Sequence, residues 1–172
     1  ENLQGTGKSG QGDLTGSHVI ADKPVAFYSG ALATTIPNAN CCWDHLFEQI
    51  PPVHSLGRKY FTVPLKTRDH DIYRVLATEN NTTVRVSDEP FFYLNRGEFK
   101  EFELYQDSPK QIISDKPILV TQFSLSQNTD SIFTAGNGDP FMLVLNSVQQ
   151  SINEVNFVNF QSPLIPADST YI

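Results

Sequence analysis

One stretch of this chain occurs twice, and that constrains its fold more than any other feature. Val19-Ile20-Ala21-Asp22-Lys23-Pro24-Val25-Ala26-Phe27-Tyr28-Ser29 returns as Ile112-Ile113-Ser114-Asp115-Lys116-Pro117-Ile118-Leu119-Val120-Thr121-Gln122, at an offset of 93 from Asp22 to Asp115. Duplicated units share their structure, so any reading of one copy must also suit the other. The echo continues downstream: Asp44 answers to Asp139, Pro52-Val53 to Ser147-Val148, and Asp71-Ile72-Tyr73 to Ser169-Thr170-Tyr171. The offset grows from 93 to 98 along the way, as small loop insertions produce. Residues 14–111 form one copy and 112–172 a partial second, which stops inside the counterpart of the Tyr73 strand.

Each copy opens with turn chemistry. The Asp side chain can close an Asx turn, and Pro fixes φ just before an extended run. The β-branched and aromatic runs that follow, 25–28 and 118–123, are long enough for a buried strand and too short for a helix. Asp22, Pro24, Asp115 and Pro117 are therefore read as structural. Asp44 and Asp139 join them, because the acid persists in both copies. Taken alone, Leu46, Phe47 and Ile50 fit a helical turn, but their partner Phe141-Met142-Leu143-Val144-Leu145 reads as strand, so both are expected to be strands.

Twelve Phe, six Tyr, eleven Pro and ten Gly among short apolar runs point to an all-β chain. The expected architecture is an antiparallel β-sandwich, jelly-roll-like, with an internal pseudo-repeat of a strand-turn-strand unit. Further strands are expected at 59–64, 72–78, 82–87, 91–94 and 98–104, with short helical turns around 53–57 and 147–153. Glu79-Asn80-Asn81 is read as the turn of a hairpin in which Tyr73, Val75 and Ala77 face Val84 and Val86. Asn95-Arg96-Gly97 is a second turn.

A net charge of −7, with only twelve basic residues, argues against nucleic acid and against anionic membrane surfaces. No apolar run reaches the length of a membrane span, and no signal peptide is visible. Residues 1–12 are expected to be a tag remnant and flexible linker, and 13–172 the folded domain. Thr6-Gly7-Lys8-Ser9 lacks the Gly that a phosphate-binding loop needs five residues before Gly7, since position 2 is Asn.

Several ordered segments together carry a resemblance: Asp13-Leu14-Thr15-Gly16, the first Asp-Lys-Pro unit through Ser29-Gly30, Asp44-His45-Leu46-Phe47-Glu48-Gln49-Ile50-Pro51-Pro52-Val53, and Tyr73-Arg74-Val75. The second Asp-Lys-Pro unit and Gly138-Asp139-Pro140-Phe141-Met142-Leu143-Val144-Leu145 add to it. The sequence resembles the IgGFc-binding protein N-terminal domain family over 13–172. That resemblance implies a secreted or surface-displayed β-rich module of mucus and surface proteins, without catalytic residues. The family name records antibody binding by one branch only. That family commonly pairs a cysteine shortly after Ser-Gly with one just before Asp-His-Leu; here Ala31-Leu32-Ala33 follows Ser29-Gly30, so the disulfide cannot form and Fc binding is not expected.

Cys41 and Cys42 are the only cysteines and are adjacent, too close for a Cys-x-x-Cys redox or zinc site. Reduced thiols, a strained vicinal disulfide and intermolecular pairing all remain open for them. Asp44-His45 with Glu48, and Asp69-His70-Asp71, hold metal-ligand residue types without zinc or EF-hand spacing. A solvated loop is the expectation, with Asp69 and Asp71 the better candidates for a hard cation such as calcium. His45 and Glu48 become Pro140 and Leu143 in the second copy, which leaves them free for a copy-specific contact or for solvent. Trp43, Phe91 and Tyr93 can stack on a sugar or a protein partner, or fill a core. Asn80-Asn81-Thr82-Thr83 holds two overlapping glycosylation acceptors. The chain is thus expected to be no enzyme, to need no cofactor, and to act as an extracellular binding or adhesion module for a protein or glycan at a cell surface or in mucus. Self-association is included, nucleic acid and membrane insertion are not, and a passive structural spacer is the alternative.

Overall fold

A computed structural model describes residues 13–37, 43–66, 68–87, 89–105, 109–126, 139–154 and 156. Among these, ten strands run in chain order: β1 Tyr28–Thr34, β2 Asp44–Gln49, β3 Lys59–Phe61, β4 His70–Ala77, β5 Thr82–Val86, β6 Phe92–Leu94, β7 Phe99–Tyr105, β8 Gln111–Ser114, β9 Ile118–Phe123 and β10 Met142–Val144. Single 3-10 turns lie at Val53–Ser55 and Val148–Gln150. Two four-stranded sheets, β10-β9-β4-β7 and β3-β8-β5-β6, pack face to face, and β1 and β2 form a separate two-stranded sheet. Every pairing is antiparallel.

The strand order is that of a jelly roll. Lettered C to I in chain order, β3 to β9 give C-H-E-F in one sheet and I-D-G in the other, and β10 sits beside I where a jelly roll places strand B. Strand B ordinarily comes just before C in the chain. Here the strand before β3 is β2, and its repeat counterpart β10 holds the position instead.

The core lies between the two large sheets. Tyr73, Val75 and Ala77 of β4 and Ile118 and Val120 of β9 meet Tyr60 of β3, Val84 and Val86 of β5, Leu94 and Ile112. Alternation selects these residues, since every second side chain of a strand points to the same face. Tyr73, Val75 and Ala77 therefore face Val84 and Val86 across the sandwich and not along a shared ladder. This corrects the expected hairpin: Glu79-Asn80-Asn81 turns the chain from one sheet into the other, with Asn81 at φ 54°. The second Asp-Lys-Pro unit braces that corner. Asp115 exchanges backbone and side-chain hydrogen bonds with Thr83, the Pro117 carbonyl accepts from Thr78 Oγ1 at 2.6 Å, and Lys116 Nζ donates to the Asn80 and Asn81 carbonyls.

The two copies share a hairpin. Tyr28 faces Gln49, and at offsets of 93 and 95 Thr121 faces Val144. The Ile50 N–H donates to the Phe27 carbonyl at 3.0 Å, and its counterpart Leu145 N–H donates to Val120 at 2.9 Å. At the same offset of 95, the 3-10 turn Val53–Ser55 becomes Val148–Gln150. Burial is where they differ. Ile118 and Val120 are fully buried, whereas their counterparts Val25 and Phe27 are 65% and 42% exposed. Residues 25–28 are therefore not the buried strand expected from sequence. β9 lies between β10 and β4, while β1 has β2 as its one strand neighbour among the described residues, so its apolar side chains find no facing layer.

The N-terminal segment is tied to the outside of the β4–β7 pair. Arg74 bridges Asp13 at 3.0 Å and Glu101 at 2.7 Å, its guanidinium lying over Phe99 and Phe123. Gly16, at φ 92°, comes so near Gly97 that a Cβ there would sit 2.2 Å from the Gly97 carbonyl oxygen. Burial raises the Asp13 carboxyl, but hydrogen bonds from Thr15 and the charge of Arg74 outweigh it and hold the group below the ordinary carboxylate value.

Candidate binding surface

The β1–β2 hairpin has one covered face and one open face. On the covered side Leu46, with Ile36 and Met142, packs against buried Ile72, Phe123 and Leu125. Ser126 locks the hairpin's end to the sandwich, its hydroxyl accepting from the Ile36 N–H at 2.7 Å and its own N–H donating to the Ile36 carbonyl. On the open side the rings of Tyr28 and Phe47 stack at 5.1 Å and 7°. Between them Gly30 pairs with Phe47, and any Cβ on Gly30 would meet the Leu46 carbonyl at 2.0 Å. The missing side chain leaves an open depression lined by Tyr28, Leu32, His45 and Phe47. Leu32 is 76% and Phe47 64% exposed. Trp43, also exposed, lies just ahead of β2.

Of the residues singled out from sequence, Trp43 and His45 fall on or beside this face. The His45 ring and backbone N–H both contact Asp44 Oδ1, at 2.9 and 2.7 Å. The backbone N–H first, and then the ring, hold the Asp44 carboxyl below its ordinary value. Glu48 lies on the covered side and is half-buried. Phe91 and Tyr93 belong elsewhere: Tyr93 is exposed on β6, the edge strand of the other sheet, and exposed Phe91 beside it lies under the Arg85 guanidinium at 5.4 Å. The five aromatic and polar candidates thus split over two separate surfaces. Tyr28 and Phe47 were not expected there, because their runs read as core, and Leu32 lies beyond the strand expected at 25–28. The available signal was Gly30 within a strand, at the position that Phe123 fills in the second copy.

Asp69 and Asp71 turn to different partners. Asp69 accepts from His70 Nδ1 at 2.6 Å, while buried Asp71 accepts from the Leu65 N–H at 2.9 Å and Gln122 Nε2 at 3.0 Å. Burial raises the Asp71 carboxyl, and these donors and the nearby His70 and Arg68 offset part of that. Among the described residues no three His, Cys, Asp or Glu side chains converge as a metal site would require. Asp22 is exposed in a bend and Pro24 exposed just after it, and the carbonyl of exposed Asp139 accepts from Arg68 at 3.5 Å. Cys41 and Cys42 lie outside the described residues. Asn80 and Asn81 are exposed at the inter-sheet corner.

Among the described residues no helix is long and apolar enough to cross a membrane. Neither a curated protein nor a solved structure matches the chain. A family model described as IgGFc binding protein matches residues 2–171, beginning within the segment that composition marks as linker. With essentially its whole length covered by that model, the chain belongs to the IgGFc binding protein family.

Proposed function

We propose that this domain is an extracellular binding or adhesion module that docks a protein or glycan on the open face of the β1–β2 hairpin. The observation that carries the reading is one aromatic and apolar surface, Tyr28, Leu32, Phe47 and neighbouring Trp43, standing exposed around a depression beside an otherwise well-filled sandwich. Scattered exposed apolar residues are ordinary, but a clustered patch on a rigid ladder marks an interaction site. Stacked aromatics give contact area at small entropic cost, and they suit a sugar face or an apolar protein surface equally. With a net charge of −7 the chain gains little from long-range attraction to anionic partners, so binding should depend weakly on salt. Membership of the family supports a protein-binding role, and the domain's own partner is the open part of the proposal.

The test is one panel, with purified domain presented to immunoglobulin, to a glycan array, and to itself at rising concentration. Micromolar or tighter binding to a protein or glycan, or concentration-dependent self-association, supports the reading. Silence throughout returns the weight to a passive spacer with no ligand of its own.

A further inference from the structure

We propose that Asn81 is an N-glycosylation site of this domain and that its neighbour Asn80, which carries the same acceptor motif, is not. Such a modification rests on the extracellular location in the proposed function and stands apart from the docking face. The acceptors overlap: Asn80-Asn81-Thr82 and Asn81-Thr82-Thr83 each place a hydroxyl two residues after an asparagine. In transfer from a lipid diphosphate-linked oligosaccharide, the asparagine Nδ2 bonds to the sugar C1 and loses a proton, while the C1–oxygen bond breaks and the lipid diphosphate leaves. A nascent chain offers both motifs, and the folded corner distinguishes the two products.

Asn80 and Asn81 are both exposed, but they are held differently. Asn80 Oδ1 accepts from the Arg96 N–H at 3.1 Å, which fixes its amide against the Asn95-Arg96-Gly97 turn. A secondary amide is planar and trans, so a sugar on Nδ2 lies on the same side as Oδ1, here against the Arg96 backbone. Rotating the side chain away releases the Arg96 N–H. The hydroxyl of that motif is engaged as well: Thr82 is fully buried, and its Oγ1 donates to the Glu79 carbonyl at 2.8 Å. Asn81, by contrast, joins the corner through its backbone, its N–H donating to Asn95 Oδ1 at 3.2 Å and its carbonyl accepting from Lys116 Nζ. Its side chain has no hydrogen-bond partner among the described residues, and half-buried Thr83 likewise engages Asp115 through backbone groups. The φ of 54° is one that asparagine tolerates better than most residues. A glycan on Asn81 therefore leaves every hydrogen bond of the corner in place, at an exposed position that suits a bulky polar group. It also stands clear of the docking face. Ile72 packs against the covered side of the β1–β2 hairpin and Ala77 leads into the corner, and the stretch of β4 between them spans about 17 Å.

The test is secretion of the whole chain behind a fused signal peptide from a eukaryotic cell, followed by intact-glycopeptide mapping that reads each asparagine separately. The larger share of the glycan should be found on Asn81. Thr83→Ala removes the Asn81 motif and leaves the Asn80 motif whole, so glycan should be lost from the secreted chain. Asn81→Gly, which suits the positive φ, should lose it too, and Asn80→Ser should leave occupancy unchanged. Equal or greater occupancy of Asn80, transfer of the glycan to Asn80 in the Thr83→Ala chain, or an unmodified chain overturns the proposal. Because the fused signal peptide supplies the route, none of these outcomes bears on the docking face, which the binding panel tests separately.

Discussion

Two tyrosines of the core are equally buried, at 1% exposure, yet they should respond very differently to loss of the hydroxyl. Tyr60 Oη donates to the Ile118 carbonyl at 2.6 Å and accepts from the Gly57 N–H at 3.1 Å, so one phenol joins β3 to the start of β9 across the sandwich. Tyr60→Phe leaves both backbone groups without that partner in a site that excludes water. An orphaned buried polar group costs about 1 to 3 kcal/mol, so two give a loss of roughly 2 to 4 kcal/mol when partial relaxation is allowed. Tyr73 Oη reaches the Val63 carbonyl at a long 3.5 Å, and that carbonyl already accepts from Gln122 Nε2 at 2.9 Å; the other partner of Tyr73 Oη, the Thr62 hydroxyl, keeps its bond from the Lys110 N–H at 2.8 Å. Tyr73→Phe should therefore cost less than about 1 kcal/mol. Urea unfolding of both variants, at matched m-values, reads the difference directly. For a chain of this size the Tyr60→Phe loss corresponds to a fall in Tm on the order of 5 to 15 °C. Equal midpoints for the two variants would refute the assignment of the Tyr60 hydroxyl as the inter-sheet tie.

Gly16→Ala should free the N-terminal segment, because the new Cβ meets the Gly97 carbonyl and φ is positive there; limited proteolysis or exchange at 13–18 should accelerate while the core midpoint falls by less than about 2 kcal/mol. The raised Asp71 carboxyl binds its proton more readily in the folded than in the unfolded chain, so its contribution is full below the ordinary carboxylate range and is lost as pH rises through the raised value. Unsubstituted protein should accordingly gain stability on Asp71→Asn between about pH 7 and pH 4, read from urea midpoints, and a parallel pH dependence would contradict the burial cause. Cys41 and Cys42 are neighbours in the chain and close no long loop, so dithiothreitol should leave Tm nearly unchanged; a drop of many degrees would mean an oxidised pair that the fold depends on.

Much of the architecture was legible because it rests on local alternation. The β4, β5, β7 and β9 patterns identified the strands and most of the buried side chains, and the repeat correctly made Asp44–Gln49 a strand where periodicity alone favoured a helical turn. Alternation does not say which layer a strand joins. Tyr73, Val75 and Ala77 meet Val84 and Val86 whether the two strands share a ladder or face each other across a core, and the corner at Asn81 chose the second. The exposed hairpin was illegible for a related reason. Val25-Ala26-Phe27-Tyr28 has the composition of a buried strand, but burial depends on neighbours, and among the described residues β1 lacks on one side the strand that β9 has. Among the candidate residues, His45 was visible as a copy-specific polar position and Trp43 as an aromatic able to stack on a partner. Tyr28 and Phe47 were hidden by their apolar context, and Phe91 and Tyr93 differ from them in location, not in residue type.

Affinity of surface variants, measured against whichever panel member binds, is the most direct test of the account. Leu32→Ser with Phe47→Ser removes the open face of the β1–β2 hairpin, and Phe91→Ser with Tyr93→Ser removes the exposed aromatics around β6 while leaving that face untouched. Central aromatic anchors of an interface carry about 2 kcal/mol or more each. The hairpin pair should therefore weaken binding at least tenfold, and the β6 pair should leave it within about twofold. Undiminished affinity in the hairpin variant, with the loss falling on the β6 variant, would contradict the assignment of the β1–β2 face as the binding surface.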